Sequence, residues 1–284
     1  MGPGLATVLL GLTSAITWGA GDFGGGLMSR RVPLFGVVAV AQVVGMVVGL
    51  VVAIVRGEPV PAGPDVIWSV GAGLCGVVGM TSLYRGLAVG RMGVVAPTTG
   101  VVGAVVPVLV GFVTEGVPTA ATIAGIVVAL LAVVLVTRAP GHQTDRPSGV
   151  EWALLAGIAI GGFNICVGQL SGAGQFGPLV ILRAVQTVIL VSLIVLWRQP
   201  WRMHRSDVAK LSVVGVLDML GNVAFISAAQ VGALAVATIL SSLYPVTTVL
   251  LALAFLHEKV TRSHVVGILL TVAAITLISI GTSG

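Results

Sequence analysis

Read for hydrophobicity alone, the chain alternates long apolar runs with short polar breaks. Ten runs stand out, at residues 5–27, 34–55, 66–89, 92–113, 119–137, 150–171, 178–197, 208–230, 233–256 and 263–281. A helix rises about 1.5 Å per residue, so about 20 apolar residues cross about 30 Å of hydrocarbon. The pattern therefore predicts an all-α membrane protein with ten transmembrane helices. The longest breaks, 138–149 and 198–207, are too short to be soluble domains. The most telling run spans 236–256, where no charge occurs and Pro245 falls in the middle. A mid-helix proline removes a backbone hydrogen bond, so a bend is expected there, beside Ser241, Ser242 and Tyr244. Pro97 and Pro107 are expected to bend the fourth span in the same way.

The pattern then repeats. Gly90 and Gly232 are 142 residues apart, as are Gly125 and Gly267, while Glu115 and Glu258 are 143 apart. Thr98-Thr99 and Ser241-Ser242 also differ by 143, and half of 284 is 142. The expected organisation is one five-helix unit at 1–138, a cytoplasmic linker at 139–149 and a second unit at 150–284. An odd number of spans per unit turns the second copy over in the membrane, which makes the pair inverted repeats. In transporters such repeats place the solute site near midplane between the copies.

Charge agrees with the inversion. Arg30, Arg31, Arg91, Arg138, Arg146, Arg198, Arg202, Arg205, Lys210, Lys259 and Arg262 fall on odd-numbered connections or their flanks, and Arg56 lies in an even one. The positive-inside rule then places both termini outside the cytoplasm. That rule also accounts for the net charge of +5 without a polyanionic partner, so no nucleic acid is expected. Charged residues make up 8% of the chain and apolar ones 57%, with a mean hydropathy of +1.14. Soluble domains carry about 25% charge. Cys75 and Cys166 sit in apolar runs and imply neither a disulfide framework nor a metal site. The start of the chain has no basic segment or cleavage site, so no signal peptide is expected.

Four ionisable residues fall within or near the spans: Asp22, Arg85, Arg183 and Asp218. Each costs about 2.5–3.5 kcal/mol to insert, so each needs a partner or a task. Asp22 and Arg85 lie at similar depth in one unit and are expected to pair, with a solute or proton role for Asp22 as the alternative. Arg183 is expected to pair with Glu115 or to snorkel to the interface. Asp218 has no basic residue assigned at its depth. Burial disfavours the charged form of a carboxyl, so Asp218, with Asp22, is a candidate proton-coupling group. Trp18, Gln42, Tyr84, Thr98, Asn164, Gln169, Gln186, Asn222, Ser241 and Tyr244 complete a candidate solute-binding set with Asp22 and Arg183. Rings, amides and hydroxyls together suit a small amphipathic solute better than an inorganic ion. The pairs Gly45/Gly49, Gly86/Gly90, Gly157/Gly161 and Gly168/Gly172 have the spacing that lets helices approach closely, and the cluster from Gly19 to Gly26 either packs closely or breaks the first helix.

Two stretches carry a resemblance. S-S-L-Y-P-V-T-T-V-L-L-A followed by H-E-K-V-T, from Ser241 to Thr261, resembles the penultimate helix of an EamA-type repeat of the drug/metabolite transporter superfamily. W-G-A-G-D-F from Trp18 to Phe23 is similar to the first-helix signature of that repeat, departing from it by one extra residue and by Asp22 in place of an asparagine. Arg183 matches an arginine frequent in the second helix of such repeats, where a grip on an anionic group is implied. The resemblance implies export of small metabolites, amino acids or amphipathic drugs across a bacterial plasma membrane by secondary active transport. An uptake permease for a sugar or similar metabolite is the alternative, and from other classes a channel or an intramembrane lipid enzyme. His142, His204, His257 and His264 lie in loops or at span ends, and no phosphate-binding loop is present, so neither an enzyme nor an ATP-driven pump is expected. A small-molecule substrate and membrane lipid are the partners implied, with no cofactor, and the oligomeric state stays open, a monomer being one option.

Overall fold

The computed structural model describes residues 3–114, 119–138, 147–170, 174, 176–231, 240–241, 243–256 and 262–282. Among them all regular structure is helical, in ten helices with described bounds and at residues 240–241. The first unit holds α1 (Pro3–Met28), α2 (Leu34–Arg56), α3 (Pro64–Val89), α4 (Met92–Thr114) and α5 (Ala120–Arg138). The second holds α6 (Val150–Gly168), α7 (Phe176–Leu196), α8 (Arg205–Val231), α9 (Tyr244–Leu256) and α10 (Arg262–Thr282). Helices α1, α2, α3, α6, α7 and α8 are long and apolar enough to cross a membrane, and the other four contain shorter apolar stretches of 10–17 described residues.

Many of these helices are rich in valine, which favours strands in water. In lipid the backbone has no solvent partner and must bond to itself within the segment, so helix wins. Side chains such as Ile54, Val55, Ile67, Val195 and Leu196 project outward, a surface suited to hydrocarbon. Helix ends follow local chemistry. Pro33 precedes α2, and Gly57, at φ 63°, ends it in the left-handed conformation. Pro64 opens α3, with Asp65 in its first turn.

The main contacts between units come in exchanged pairs. Helix α1 packs on α8 and α9, while α6 packs on α3 and α4; α2 touches α8 as α7 touches α3; α2 meets α7, and α5 meets α10. Swapping each helix for its counterpart five places on reproduces these contacts, which is a two-fold relation.

Glycine makes the close approaches. Helix α1 runs unbroken through its glycine cluster, so the cluster serves packing. A Cβ on Gly19 would stand 2.5 Å from the Tyr244 carbonyl oxygen, and one on Gly25 would stand 2.3 Å from the Tyr84 ring. The anticipated pairs Gly45/Gly49 and Gly157/Gly161 likewise face neighbouring helices, as does Gly86, whereas Gly168 faces open space. Gly172 lies outside the described residues.

Two connections tie the units at their ends. The Glu58 carboxylate accepts the N–H groups of Phe176 at 2.7 Å and Gly177 at 3.2 Å, capping α7 from the other unit. At the counterpart position, Gly36 of α2 packs under Met203 and the Trp201 carbonyl.

The ninth span departs from expectation. Residues 240–241 are helical and Leu243 is a turn residue, before α9 begins at Tyr244. Pro245 therefore stands in the first turn of a helix, where its missing N–H breaks no bond. It marks a start, not a mid-helix bend. Pro97 and Pro107 do lie inside α4. Ser242, Glu115 and Glu258 lie outside the described residues.

Gly25→Ala is expected to destabilise the protein by about 1–3 kcal/mol, because the buried Tyr84 ring has no room to retreat. Gly4→Ala, with nothing within 4 Å, should leave the melting temperature of the purified protein unchanged.

Candidate solute site

A cavity of about 450 Å³ lies between the two units, lined from α1, α2, α3, α4, α6, α7, α8, α9 and α10 and by Ser241. Small-molecule sites fall in the range of about 300–1,000 Å³. Its polar wall is organised on Arg183, two turns into α7 and only 7% exposed. The guanidinium donates one hydrogen bond to the Gln42 side-chain oxygen on α2 and another to an Asp218 carboxylate oxygen on α8. A fork-shaped donor thus joins an amide of one unit to a carboxylate of the other.

Backbone geometry makes room for this. A Cβ on Gly45 of α2 would sit 3.1 Å from Arg183 Nε, and one on Gly76 of α3 only 1.9 Å from the Gln186 amide nitrogen. The glycines are seats for polar side chains that would otherwise splay the helices. Gly76 stands 142 positions before Asp218, so repeat register alone would have singled it out.

The aromatic wall is built on α1. Trp18 and Asp22 are one turn apart on one face. The Trp18 indole lies over Gly221 and donates to the Asp218 carbonyl at 3.2 Å. Its ring centroid is 5.9 Å from Phe225 and 6.4 Å from Tyr244, the latter edge-to-face. Asn222 donates to the same Asp218 carbonyl at 2.8 Å. Thr248 donates to the Gly19 carbonyl at 3.1 Å, fixing α9 against α1.

The structure gathers Trp18, Asp22, Gln42, Asn164, Arg183, Gln186, Asp218, Asn222, Ser241 and Tyr244 around one space. Tyr84, Thr98 and Gln169 are not among its lining residues. Tyr84 is a packing residue over Gly25, Thr98 is buried away from the space, and Gln169 lies exposed just past the end of α6. Met80 and Phe163 join the wall without having been anticipated, since a methionine or phenylalanine in an apolar span has no signal of its own.

Two expected pairings are corrected. Arg183 turns inward to Gln42 and Asp218 instead of snorkelling, and Asp218 does have a cation at its depth; the Glu115 end of the other expected pairing lies outside the described residues. No ion pair or hydrogen bond joins Asp22 to Arg85: Asp22 faces the cavity, while Arg85 lines a separate pocket with Leu34, Phe35 and Trp152. Among the described residues no group of histidine, cysteine, aspartate and glutamate could hold a metal ion.

Fold and site together define a polytopic helical membrane protein whose largely apolar cavity carries a cluster of polar groups. The EamA-like transporter family matches residues 5–138 and, a second time, residues 147–280. The chain belongs to that family and is a membrane transporter of small molecules built from two repeats. No curated protein matches it. Among solved structures, one described only as the crystal structure of a protein is similar over 95% of both chains, with a TM-score of 0.67 and 16% identity. That likeness speaks to the fold alone.

Breaking the Arg183–Asp218 pair from one side strands a buried charge. Arg183→Met is expected to cost about 3–5 kcal/mol of stability. Arg183→Met combined with Asp218→Leu should cost less than the two single changes together, as read by denaturation in detergent.

Proposed function

We propose that the protein is a ten-span secondary transporter of a bacterial plasma membrane, with inverted repeats, both termini outside the cytoplasm, and solute exchange by alternating access at the cavity. What supports this reading is the cavity's position: polar groups of both repeats converge on one space, which is the arrangement rocking repeats require. The preferred direction is export of small metabolites, amino acids or amphipathic drugs, coupled to protons. Asp218 is occupied by Arg183, so the coupling role is assigned first to Asp22. In this reading the Glu58 cap on α7 is the latch of the outer end, and the Met203–Gly36 contact closes the inner end.

In proteoliposomes loaded with unlabelled solute, a panel of radiolabelled amino acids and lipophilic amines should give saturable counterflow for at least one member. Ala104→Trp, which fills the cavity, should abolish it. Channel-like conductance in a planar bilayer, or counterflow untouched by filling the cavity, defeats the reading.

Glu58→Gln should weaken the charge-assisted cap on α7. The expected result is faster solute access from the outer face, with a melting temperature lowered by the loss of about 1 kcal/mol.

A further inference from the structure

The charges around the cavity do not balance. One arginine faces two aspartates, and the guanidinium is committed to Asp218 and Gln42. Among the described residues Asp22 makes no hydrogen bond or ion pair, although it lines the same space. A carboxylate in a low-dielectric cavity calls for a positive charge close by. Among the described residues no cationic side chain besides Arg183 lines the cavity, which leaves a bound solute or a proton as the compensating charge of the site.

The surroundings of Asp22 favour a particular shape of cation. Trp18 is one turn away, with Phe225 and Tyr244 grouped around its ring. Electron-rich faces beside a lone carboxylate are the setting in which substituted ammonium groups bind, the rings attracting the cation and accepting its hydrocarbon at once. Beyond them the wall is apolar, with Met80, Leu83, Ile160 and Phe163, room for a hydrophobic body. Gln186 and Ser241 are 3% and 2% exposed, line the cavity, and leave Gln186 Oε1 and Ser241 Oγ without a partner. These are oxygens that an N–H donor on the solute would satisfy.

We infer that the solute is an amphipathic monocation, an amine or substituted ammonium, anchored by Asp22 and the Trp18, Phe225 and Tyr244 rings. The inference rests on the transporter reading above and adds the solute's charge class. A proton neutralises Asp22 as a cation does, so the two compete for it. The other titratable groups acting there are Asp218 of α8, with Arg183 of α7 behind it, Tyr244 of α9 and Tyr84 of α3.

The test uses the full-length protein in nanodiscs and four probes with one skeleton: 3-phenylpropylamine, its trimethylammonium derivative, 3-phenylpropanol and 3-phenylpropanoate. Both cations should bind at least tenfold more tightly than the alcohol, and the carboxylate least, by Trp fluorescence and thermal shift. The trimethylammonium probe, which has no titratable proton, should bind more weakly as pH falls. Asp22→Asn should erase the preference for cation over alcohol, and Asp22→Glu should retain it. Equal binding of all four probes, tighter binding of the carboxylate, or an undiminished cation preference in Asp22→Asn overturns the inference. Counterflow separates the two claims. Transport of the alcohol or carboxylate but not the cations keeps the transporter and removes the charge class; Asp22-dependent cation binding with no counterflow of any probe keeps the site and removes the transporter.

Discussion

The structure turns on burying a guanidinium between two repeats. Arg183 brings a permanent charge into a medium that charges enter only at a cost of several kcal/mol, and it becomes tolerable by bonding to Gln42 and Asp218. One partner lies on each repeat, so the bond network also sets how the repeats face each other. Gly45 and Gly76 are part of this constraint, because they supply the space in which Arg183 and Gln186 lie flat.

The same constraint explains why the repeats have diverged where they matter. Contacts between helices keep the two-fold exchange, since lipid and helix packing ask the same of both copies. At the cavity the symmetry is broken. Asp22 has Asn164 as its counterpart 142 positions on, and Asp218 has Gly76. On the reading proposed above, a site for one asymmetric solute has no use for a pair of identical charges, and two unmatched carboxylates would repel. Each acid is therefore present once, one already paired and the other facing the cavity.

Close packing has a second consequence, for motion. Two of the inter-repeat contacts near the ends of the bundle are chemically unlike: a carboxylate on two backbone N–H groups at Glu58, and a methionine with a carbonyl on Gly36. Dispersion contacts and a single cap break at modest cost, which suits the alternating opening proposed above. In the ninth span α9 starts at Tyr244, which itself lines the cavity.

Sequence reading sufficed for what lipid dictates: helix as the secondary structure of the described residues, nearly every boundary of those helices, the two repeats, and the short set of polar residues that had to be explained. Those follow from length, apolarity and the cost of charge in hydrocarbon, which are local properties. Most of the cavity was legible for the same reason, since a polar residue in a span is conspicuous. Tertiary structure alone decided which of them meet. Arg183 found Asp218 instead of the interface, Tyr84 became packing over Gly25, Gln169 fell past a helix end, and Asp22 was left without a cation. Pairing depends on helix rotation and on close approach at glycines, and neither is written in the spacing of any one span.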